Sequence, residues 1–496
     1  MASEIVFRYS SMANEIECAL LGIDVGTSGT RALALSPTGK LLAEAEAPIR
    51  HDHRAAGGIH EQDPDEWWQA VCSVAQKIAQ NLKEESGKAE LRGVAVTSTS
   101  GTLVVADALG RTLRPAILYD DGRGVEIGEE LNRQGGSQSV RLGPSFSLVK
   151  AAWVKRHEPA LWDRARFLLS PADWLSGKLS GEFGISDFTN ALKLGYDPES
   201  AAWIESVRAA GLPADRLPVV RRPGQPIALV SNAAAAETGL PPGMQVLAGA
   251  TDGMASVVAS GASACGDANT TLGTTLVWKV LHNGKPAAHG GVYLHLHPGG
   301  LWVPGAASNT GLGSVRRLDT FPVNPPAEMD RLAARYFPTP VVCYMLSGEG
   351  ERFPFAHPKA TSFVDGSPRD AAESYAAQLQ SMAFVERWGY EILESCGIKI
   401  GDKVFSTGAA ARSPVLSQLR ANVLGKTILL PRYPTAACGA AILAATGAVF
   451  SGNIVHAIQS MSAILETYSP SPELVPAFDA IYNSFRDACA RRGYIT

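Results

Sequence analysis

Hydrophobic residues near the start of the chain occur in short runs that are separated by turn-forming residues. Apolar runs at 31–35 and 41–47 flank the segment 36–40, which contains Ser, Pro and Gly and predicts a hairpin turn. Between 64 and 82 the apolar residues recur at helical spacing, after an Asp-Pro pair that is typical of a helix N-terminus. This pattern predicts two strands followed by a helix.

The same order of elements returns in the second half of the chain. The pattern predicts a strand at 246–250, a helix at about 254–260, and two strands joined by a small-residue turn at 268–278. Residues 404–414 predict a buried strand, a tight turn and the start of a helix, and the N-terminus of such a helix suits an anion or a nucleotide. The two halves therefore have related patterns.

A change of composition separates these halves. Residues 213–243 are rich in Pro, Ala and short loops, which is typical of the approach to a domain boundary. We expect an α/β fold with a flexible N-terminal extension at 1–17, an N-terminal domain at 18–245 and a C-terminal domain at 246–496. Within the first domain, residues 145–182 are expected to be helical.

Composition excludes several classes of protein. The 496 residues suffice for two domains with sizeable cores. Hydrophobic residues make up 46% and charged residues 19%, and the net charge is -4 with Lys and Arg scattered, so we expect neither nucleic acid nor a membrane as a partner. The seven cysteines form no Cys-x-x-Cys pair, which favours reduced thiols and a cytoplasmic location. We expect a monomer or a homodimer.

The chain is organised around the sequence Gly22-Ile23-Asp24-Val25-Gly26-Thr27-Ser28-Gly29-Thr30-Arg31, in which an apolar strand ends in a carboxylate and enters a turn. Gly26 lets the backbone approach an anion closely, and Thr27 and Ser28 add hydroxyl donors, so the turn suits a phosphate. A carboxylate beside polyphosphate is favourable when a cation lies between them, so we expect Asp24 to hold a hydrated Mg2+. The alternative is an ordinary hairpin turn.

Asp252 is the second notable carboxylate. It follows a predicted strand and begins a predicted helix, so the helix N-terminus should stabilise its charge and keep it an ionised base at neutral pH. The alternative interpretation is a plain helix cap. Two halves with facing phosphate turns would clamp a nucleotide in the cleft between them.

These segments in this order resemble the FGGY family of carbohydrate kinases. The resemblance extends from about residue 20 to residue 450, and the matching stretches are 22–31, 58–68, 113–123, 187–191, 249–254, 272–275, 407–413 and 436–445. It implies two actin-like ATPase (ribonuclease H-like) domains with a nucleotide and sugar cleft between them. It also implies a kinase that uses ATP and Mg2+ and acts on a small-molecule sugar.

The resemblance implies roles for individual residues. Asp252 aligns with the base that takes the proton from the sugar hydroxyl attacking the γ-phosphate, and Asp24 aligns with the Mg2+ and substrate region. The residues expected to hold phosphates are Gly26, Thr27, Ser28, Gly273 and Thr274, and those expected to line the adenine nucleotide are Gly311, Gly408, Ala409 and Ser413.

The expected substrate follows from residues 99–102, 190–196 and 350–354, which resemble the D-ribulose kinases of cyanobacteria and plants, often called xylulose kinases. Ser100 aligns with a substrate-contacting Ser of that subgroup. Where this chain has Ser100-Gly101, glycerol kinases carry Arg-Glu and xylulose kinases carry Met-His. We therefore expect phosphorylation of D-ribulose to D-ribulose 5-phosphate, with D-xylulose as the alternative. A second alternative is an actin-like protein that binds ATP and sugar without catalysis.

One loop departs from the family pattern. Members usually carry Gly-Gly-Gly-Ala-Lys in the adenosine loop, whereas this chain has Gly408-Ala409-Ala410-Ala411-Arg412. A residue with a Cβ is strained at positive φ. If Ala409 or Ala410 needs a positive φ, nucleotide affinity should be weakened, and this loop is the feature that supports the non-catalytic alternative.

Overall fold

The structure is a computed structural model that describes residues 17–85, 89–134, 141–287, 289–315 and 326–495. Residues 1–16, which make up nearly all of the expected N-terminal extension, lie outside these ranges. The described chain forms two large mixed sheets with helices packed against them, together with several two- and three-stranded sheets. The expected α/β class is therefore observed.

Short strands and helices alternate along the described chain. In chain order the described strands are β1 Glu17–Val25, β2 Gly29–Leu35, β3 Leu41–Pro48, β4 His53–Ala55, β5 Ile59–Gln62, β6 Ala89–Ser98, β7 Val104–Ala106, β8 Ala116–Ile117, β9 Phe167–Leu169, β10 Ile185–Asp187, β11 Tyr196–Asp197, β12 Ala202–Trp203, β13 Val219–Arg221, β14 Pro226–Leu229, β15 Gln245–Thr251, β16 Ala268–Leu272, β17 Leu276–Val280, β18 Tyr293–Leu296, β19 Trp302–Ser308, β20 Val342–Tyr344, β21 Phe363–Asp365, β22 Lys403–Thr407, β23 Thr427–Pro431 and β24 Ile464–Tyr468. The described α-helices are α1 Pro64–Glu85, α2 Val125–Gln134, α3 Ser147–His157, α4 Pro159–Trp162, α5 Pro171–Ser180, α6 Phe188–Ala191, α7 Glu205–Ala209, α8 Asn232–Thr238, α9 Asp252–Ser260, α10 Pro326–Ala333, α11 Ala371–Ser395, α12 Pro414–Leu424, α13 Ala436–Ala448, α14 Ile454–Met461 and α15 Val475–Arg491. None of these helices combines the length and the apolar character needed to cross a membrane.

The first large sheet has the strand order β14-β15-β6-β1-β2-β3. Strands β1, β6 and β15 run parallel, so their carboxyl ends lie at one edge of the sheet. In this register Asp24 of β1 is beside Thr97 of β6, and Ser98 is beside Thr251 at the end of β15. The sheet therefore brings Asp24 towards the residue that follows Thr251, which is Asp252.

The second large sheet has the strand order β18-β19-β17-β16-β22-β23-β24. Strands β16 and β17 are antiparallel and pair up to Leu272 and Leu276, so residues 273–275 form the turn between them. Strand β22 runs parallel to β16 and places Thr407 beside Thr271. The turn after β16 and the loop after β22 therefore lie next to each other.

Helix α13 connects the two halves of the fold. Its residues 436–446 are all buried, and it packs against β1, β6 and β15 of the first sheet and against α9. A Cβ at Gly22 of β1 would lie 2.0 Å from the Ala437 carbonyl oxygen, and one at Gly439 would lie 1.9 Å from the Ala255 carbonyl oxygen. Glycine at these positions lets the helix lie directly on the strand and on α9.

The domain boundary expected at 245/246 stays a prediction. Strand β15 begins there and pairs with β6 in the first sheet, and α9, which follows it, packs against α13. The strand and the helix are joined at Asp252. The residue expected to be the base therefore joins a strand of the first sheet to a helix that packs on α13.

Residues 145–182 differ from the helical expectation, because strand β9 interrupts them and pairs with β7. The next helix, α5, begins with a capping box: Ser170 Oγ accepts the Asp173 N–H at 3.2 Å, and Asp173 Oδ2 accepts the Ser170 N–H at 2.9 Å. A three-residue apolar run such as Phe167–Leu169 has no periodicity that distinguishes a strand from a helix.

Candidate active site

Asp24 lies near the end of β1, at the carboxyl edge of the first sheet. Thr97 Oγ1 donates a hydrogen bond to Asp24 Oδ1 at 3.1 Å. Burial and then the negative charge of Asp252 raise the pKa of Asp24 to about 7, and the Thr97 hydrogen bond opposes this rise. The two carboxylates are therefore close enough to repel each other.

Asp252 is the first residue of α9. Its Oδ1 accepts the Gly253 N–H at 2.6 Å, and the preceding Thr251 N–H is bonded to Thr189 Oγ1 at 2.9 Å. The helix N-terminus stabilises the charge through this N–H, as expected, but burial has the larger effect and raises the pKa of Asp252. A carboxylate with a raised pKa is a stronger base, which suits it to accept a proton from a hydroxyl group.

Two lysines, one from each half of the sequence, lie within electrostatic range of this carboxylate. Lys279 of β17 is 7% exposed, and its Nζ donates a hydrogen bond to the Gly253 carbonyl oxygen. Burial lowers the pKa of Lys279 to about 8, and the charge of Asp252 opposes this effect. Lys193 Nζ donates to the Ser100 carbonyl oxygen at 3.1 Å. These ammonium groups offset part of the negative charge at the site.

The turn after β1 is closed by a hydrogen bond from the Gly26 N–H to the Gly29 carbonyl oxygen at 3.0 Å. Gln62 Nε2 donates to the Thr27 carbonyl oxygen at 2.7 Å and ties the turn to β5. Ser28 is exposed, and a Cβ at Gly26 would lie 3.5 Å from its nearest neighbour. The turn is therefore held in place but leaves room beside the β1 carboxylate, which a phosphate group could fill.

The predicted nucleotide residues of the second half lie mostly together. A Cβ at Gly311 would lie 2.5 Å from the Thr274 carbonyl oxygen, so this segment packs on the turn that contains Gly273 and Thr274. Gly408 has a φ of +89°, and a Cβ there would lie 2.4 Å from the Leu272 carbonyl oxygen. The structure therefore brings Gly273, Thr274, Gly311 and Gly408 together, and their role in nucleotide binding stays a prediction.

Ala409 and Ser413 have different surroundings. Ala409 begins a short 3-10 turn and is exposed, and neither it nor Ala410 has a positive φ. The condition under which these alanines would weaken nucleotide binding is therefore not met. Ser413 Oγ caps α12 by accepting the Leu416 N–H at 3.0 Å and donates to Asp330 Oδ2 at 2.6 Å. Ser413 is thus a helix cap in the structure, and its role in lining the nucleotide stays a prediction.

Magnesium fits the pair of carboxylates. Within the described ranges, no group of three or more His, Cys, Asp or Glu side chains could hold a metal ion. Mg2+, however, is usually bound through one or two carboxylates together with substrate phosphates and water. Asp24 and Asp252, whose pKa values are both raised, would each be stabilised as carboxylates by a nearby cation. Asp24 remains the residue that we expect to hold Mg2+.

Comparison with known families decides the class of protein. Residues 19–259 match the N-terminal domain of the FGGY family of carbohydrate kinases, and residues 244–448 match the C-terminal domain of the same family. The chain belongs to this family. It is therefore a carbohydrate kinase, an enzyme that transfers a phosphoryl group from ATP to a sugar.

Similar proteins match over most of the chain. The xylulose kinase of Escherichia coli (strain K12) is 27% identical, and the match covers 94% of this chain and 97% of that protein. The glycerol kinase of Citrifermentans bemidjiense is 27% identical over 86% of this chain and 90% of that protein. The crystal structure of xylulose kinase from Rhodospirillum rubrum superposes with a TM-score of 0.83 at 25% identity and covers 95% of this chain and 98% of that chain. The expected two-domain actin-like ATPase fold is thereby confirmed.

The sequence analysis does not assign a role to some residues of this site, namely Thr97, Thr189, Lys193 and Lys279. Lys279 has a usable signal, because a charged residue inside an apolar strand is rarely buried without a partner. Lys193 lies in the stretch 190–196 that carries the family resemblance, but its proximity to Ser100 depends on long-range packing. The contact between Thr189 and Thr251 likewise joins residues that are 62 positions apart.

Proposed function

We propose that the protein transfers the γ-phosphoryl group of ATP to a hydroxyl group of a D-ketopentose. The observation that carries this proposal is the position of Asp252, a carboxylate of raised pKa that lies near Asp24 and near two lysines. Two carboxylates held near enough to repel each other destabilise a fold, so their proximity favours catalysis over simple binding. The match to the carbohydrate kinase family over residues 19–448 supports the same reaction class.

In the proposed reaction Asp252 accepts the proton of the attacking hydroxyl group, whose oxygen bonds to the γ-phosphorus while the bond to the ADP oxygen breaks. The turns that contain Gly26 and Gly273 would receive the phosphates through N–H groups other than those of these two glycines, which bond to the Gly29 and Thr275 carbonyl oxygens within the turns. Asp24 would hold Mg2+, which when bound neutralises charge on the phosphates. Lys279 limits the charge repulsion that accompanies ionisation of Asp252.

The names of the relatives support D-xylulose as the substrate better than D-ribulose, the substrate that the sequence favours, and the D-ribulose kinase subgroup finds no support among them. One observation keeps D-ribulose as a second candidate. Gly101 has a φ of +90°, and a Cβ there would lie 2.2 Å from the Ser145 carbonyl oxygen. The backbone of this chain therefore has no room for the His of that Met-His pair at position 101, so we expect this loop to contact the sugar through other groups.

A coupled assay of ADP release tests the proposed function. Mg-ATP is supplied with D-xylulose, D-ribulose, L-xylulose, L-ribulose, glycerol or ribitol at matched concentration. We expect a D-ketopentose to give the highest kcat/KM, and the ranking of D-xylulose and D-ribulose decides between the two candidates. Highest activity with glycerol would overturn the substrate class. Absence of turnover with every sugar would support the non-catalytic alternative.

Asp252→Asn is the matched variant for the base assignment, since the amide keeps the size of the side chain. We expect its kcat to fall about 10²–10⁴-fold, because general base catalysis is lost. Binding of ATP, measured by calorimetry, should be retained. A rate close to that of the wild type would show that Asp252 is not the base.

A further inference from the structure

Lys193 has hydrogen-bonding capacity that its surroundings do not use. It lies in the 3-10 turn Leu192–Leu194, which follows α6. Within the described ranges its Nζ makes one hydrogen bond, to the Ser100 carbonyl oxygen at 3.1 Å, and forms no ion pair with a carboxylate. An ammonium group has three N–H donors. Lys193 therefore presents donors at the loop where Ser100 is expected to contact the sugar.

The absence of a side chain at Gly101 makes room for this lysine. A Cβ at position 101 would lie 2.7 Å from Lys193 Cδ and 3.2 Å from Lys193 Nζ. The φ of +90° at Gly101 also disfavours any residue other than glycine. Gly101 and Lys193 therefore act as a pair, in which the lysine extends over the backbone of the glycine.

The electrostatic neighbours of Lys193 include the base. Burial lowers the pKa of Lys193, and the charge of Asp252 raises it in opposition, so the ammonium group and the base are near each other. The pKa of His295 is lowered to about 3 by burial and then by the charges of Lys279 and Lys193. Lys193 thus lies within electrostatic range of Asp252 and close to the loop at Ser100.

We propose that Lys193 is a sugar-binding residue that selects ketopentoses over the corresponding pentitols. Its Nζ donates hydrogen bonds to the C2 carbonyl oxygen and to a neighbouring hydroxyl oxygen of the open-chain sugar. A ketone oxygen only accepts hydrogen bonds, so it matches a group that only donates, whereas reduction to an alcohol adds a proton that must find its own acceptor. This assignment rests on the proposed ketopentose kinase function.

The test compares wild type, Lys193→Met, Lys193→Gln and Lys193→Arg in the ADP-release assay. The substrates are D-ribulose with ribitol and D-xylulose with xylitol, so each ketose has its own reduced partner. Met keeps the length of the side chain without any donor, Gln keeps a donor for the Ser100 carbonyl oxygen without the charge, and Arg keeps the charge. Thermal unfolding shows whether each variant is folded, and calorimetry measures ATP binding.

For Lys193→Met we expect kcat/KM for the preferred ketopentose to fall about 10–100-fold, mainly through KM, as loss of a charged hydrogen bond predicts. The preference for ketose over pentitol should fall towards one, ATP affinity should stay unchanged, and Lys193→Gln should show the same trend if Lys193→Met does not fold. Arg should retain part of the preference.

Two outcomes would overturn the assignment while leaving the kinase function intact. In the first, the wild type is active and the folded Met or Gln variant keeps both its ketopentose kcat/KM and its preference. In the second, the variants lose ATP affinity, which would place Lys193 in the nucleotide site. A wild-type protein that phosphorylates no ketopentose would instead overturn the proposed function, and the assignment of Lys193 with it.

Discussion

Replacement of Asp24 by asparagine should stabilise the fold at neutral and alkaline pH while it impairs catalysis. Burial and the charge of Asp252 raise the pKa of Asp24 from 3.8 to about 7, so the folded protein holds this proton more tightly than the unfolded chain does. The stability that the protonated group contributes is complete below about pH 4 and is lost as the pH rises through about 7. Asparagine is neutral throughout and avoids this loss.

The rise in the pKa of Asp24 sets an upper limit on the stability that the asparagine variant can gain. It amounts to about three pKa units between 3.8 and about 7. Each unit corresponds to about 1.4 kcal/mol, so the largest gain in the free energy of unfolding is about 4 kcal/mol. Asp24 is only partly buried, and water in the cleft screens its charge, so we expect about 2 kcal/mol at pH values above about 8.

Thermal unfolding of the wild type and of Asp24→Asn, without Mg2+ or nucleotide, measures this gain between about pH 4.5 and pH 8.5. The difference should be small at the acid end and increase until about pH 8. Asp121→Asn is a control of opposite sign, because hydrogen bonds from Arg123 and from the His60 N–H lower the pKa of Asp121 against the effect of burial. That variant should be less stable than the wild type at neutral pH. A difference for Asp24→Asn that does not depend on pH would refute the reasoning.

Two further predictions concern a buried ion pair in the second half of the chain and a residue that contacts the backbone beside the base. Arg420 is fully buried and donates to Glu386 Oε2 at 2.6 Å and to Oε1 at 2.7 Å, so Arg420→Met should lose about 3–5 kcal/mol in urea unfolding. Glu386→Leu in the same chain should recover most of that loss, and an unchanged single variant would contradict the prediction. Thr189→Val removes the acceptor of the N–H that precedes the base, so kcat should fall about tenfold with ATP affinity unchanged. Thr189→Ser should restore kcat, and a normal kcat in Thr189→Val would show that the hydrogen bond does not position the base.

Local sequence features predict much of the site. The turn after β1 is encoded in ten consecutive residues, and Asp252 is placed by a strand that ends one residue before it, so neither needs knowledge of distant contacts. The family resemblance then orders these local features into two domains. Segment 145–182 shows the limit of this approach, because a short buried strand and a helix have the same apolar pattern over three residues.

Long-range packing accounts for what the sequence does not predict. The contact between Lys193 and Ser100 joins residues that are 93 positions apart. Gly22 packs against the backbone of α13, which follows it by more than 400 positions. The raised pKa of Asp252 is also a property of the folded protein, because burial outweighs the N–H of Gly253, the local group that a sequence pattern can reveal. The sequence therefore identifies the titratable side chains of the site, and the fold determines their pKa values.

The alanines of the adenosine loop also show the difference between what the sequence predicts and what the fold determines. Their expected harm to nucleotide binding depends on a positive φ, but in the structure Gly408 has the positive φ and Ala409 lies in a 3-10 turn. A Cβ at Ala409 is therefore accommodated without backbone strain, and the loop no longer favours a protein that lacks catalysis. Ala409→Gly should leave KM for ATP within about twofold of the wild type, whereas Gly408→Ala should raise it, since its Cβ would meet the Leu272 carbonyl oxygen at 2.4 Å. A tenfold fall of KM in Ala409→Gly would show that the methyl group obstructs the nucleotide after all.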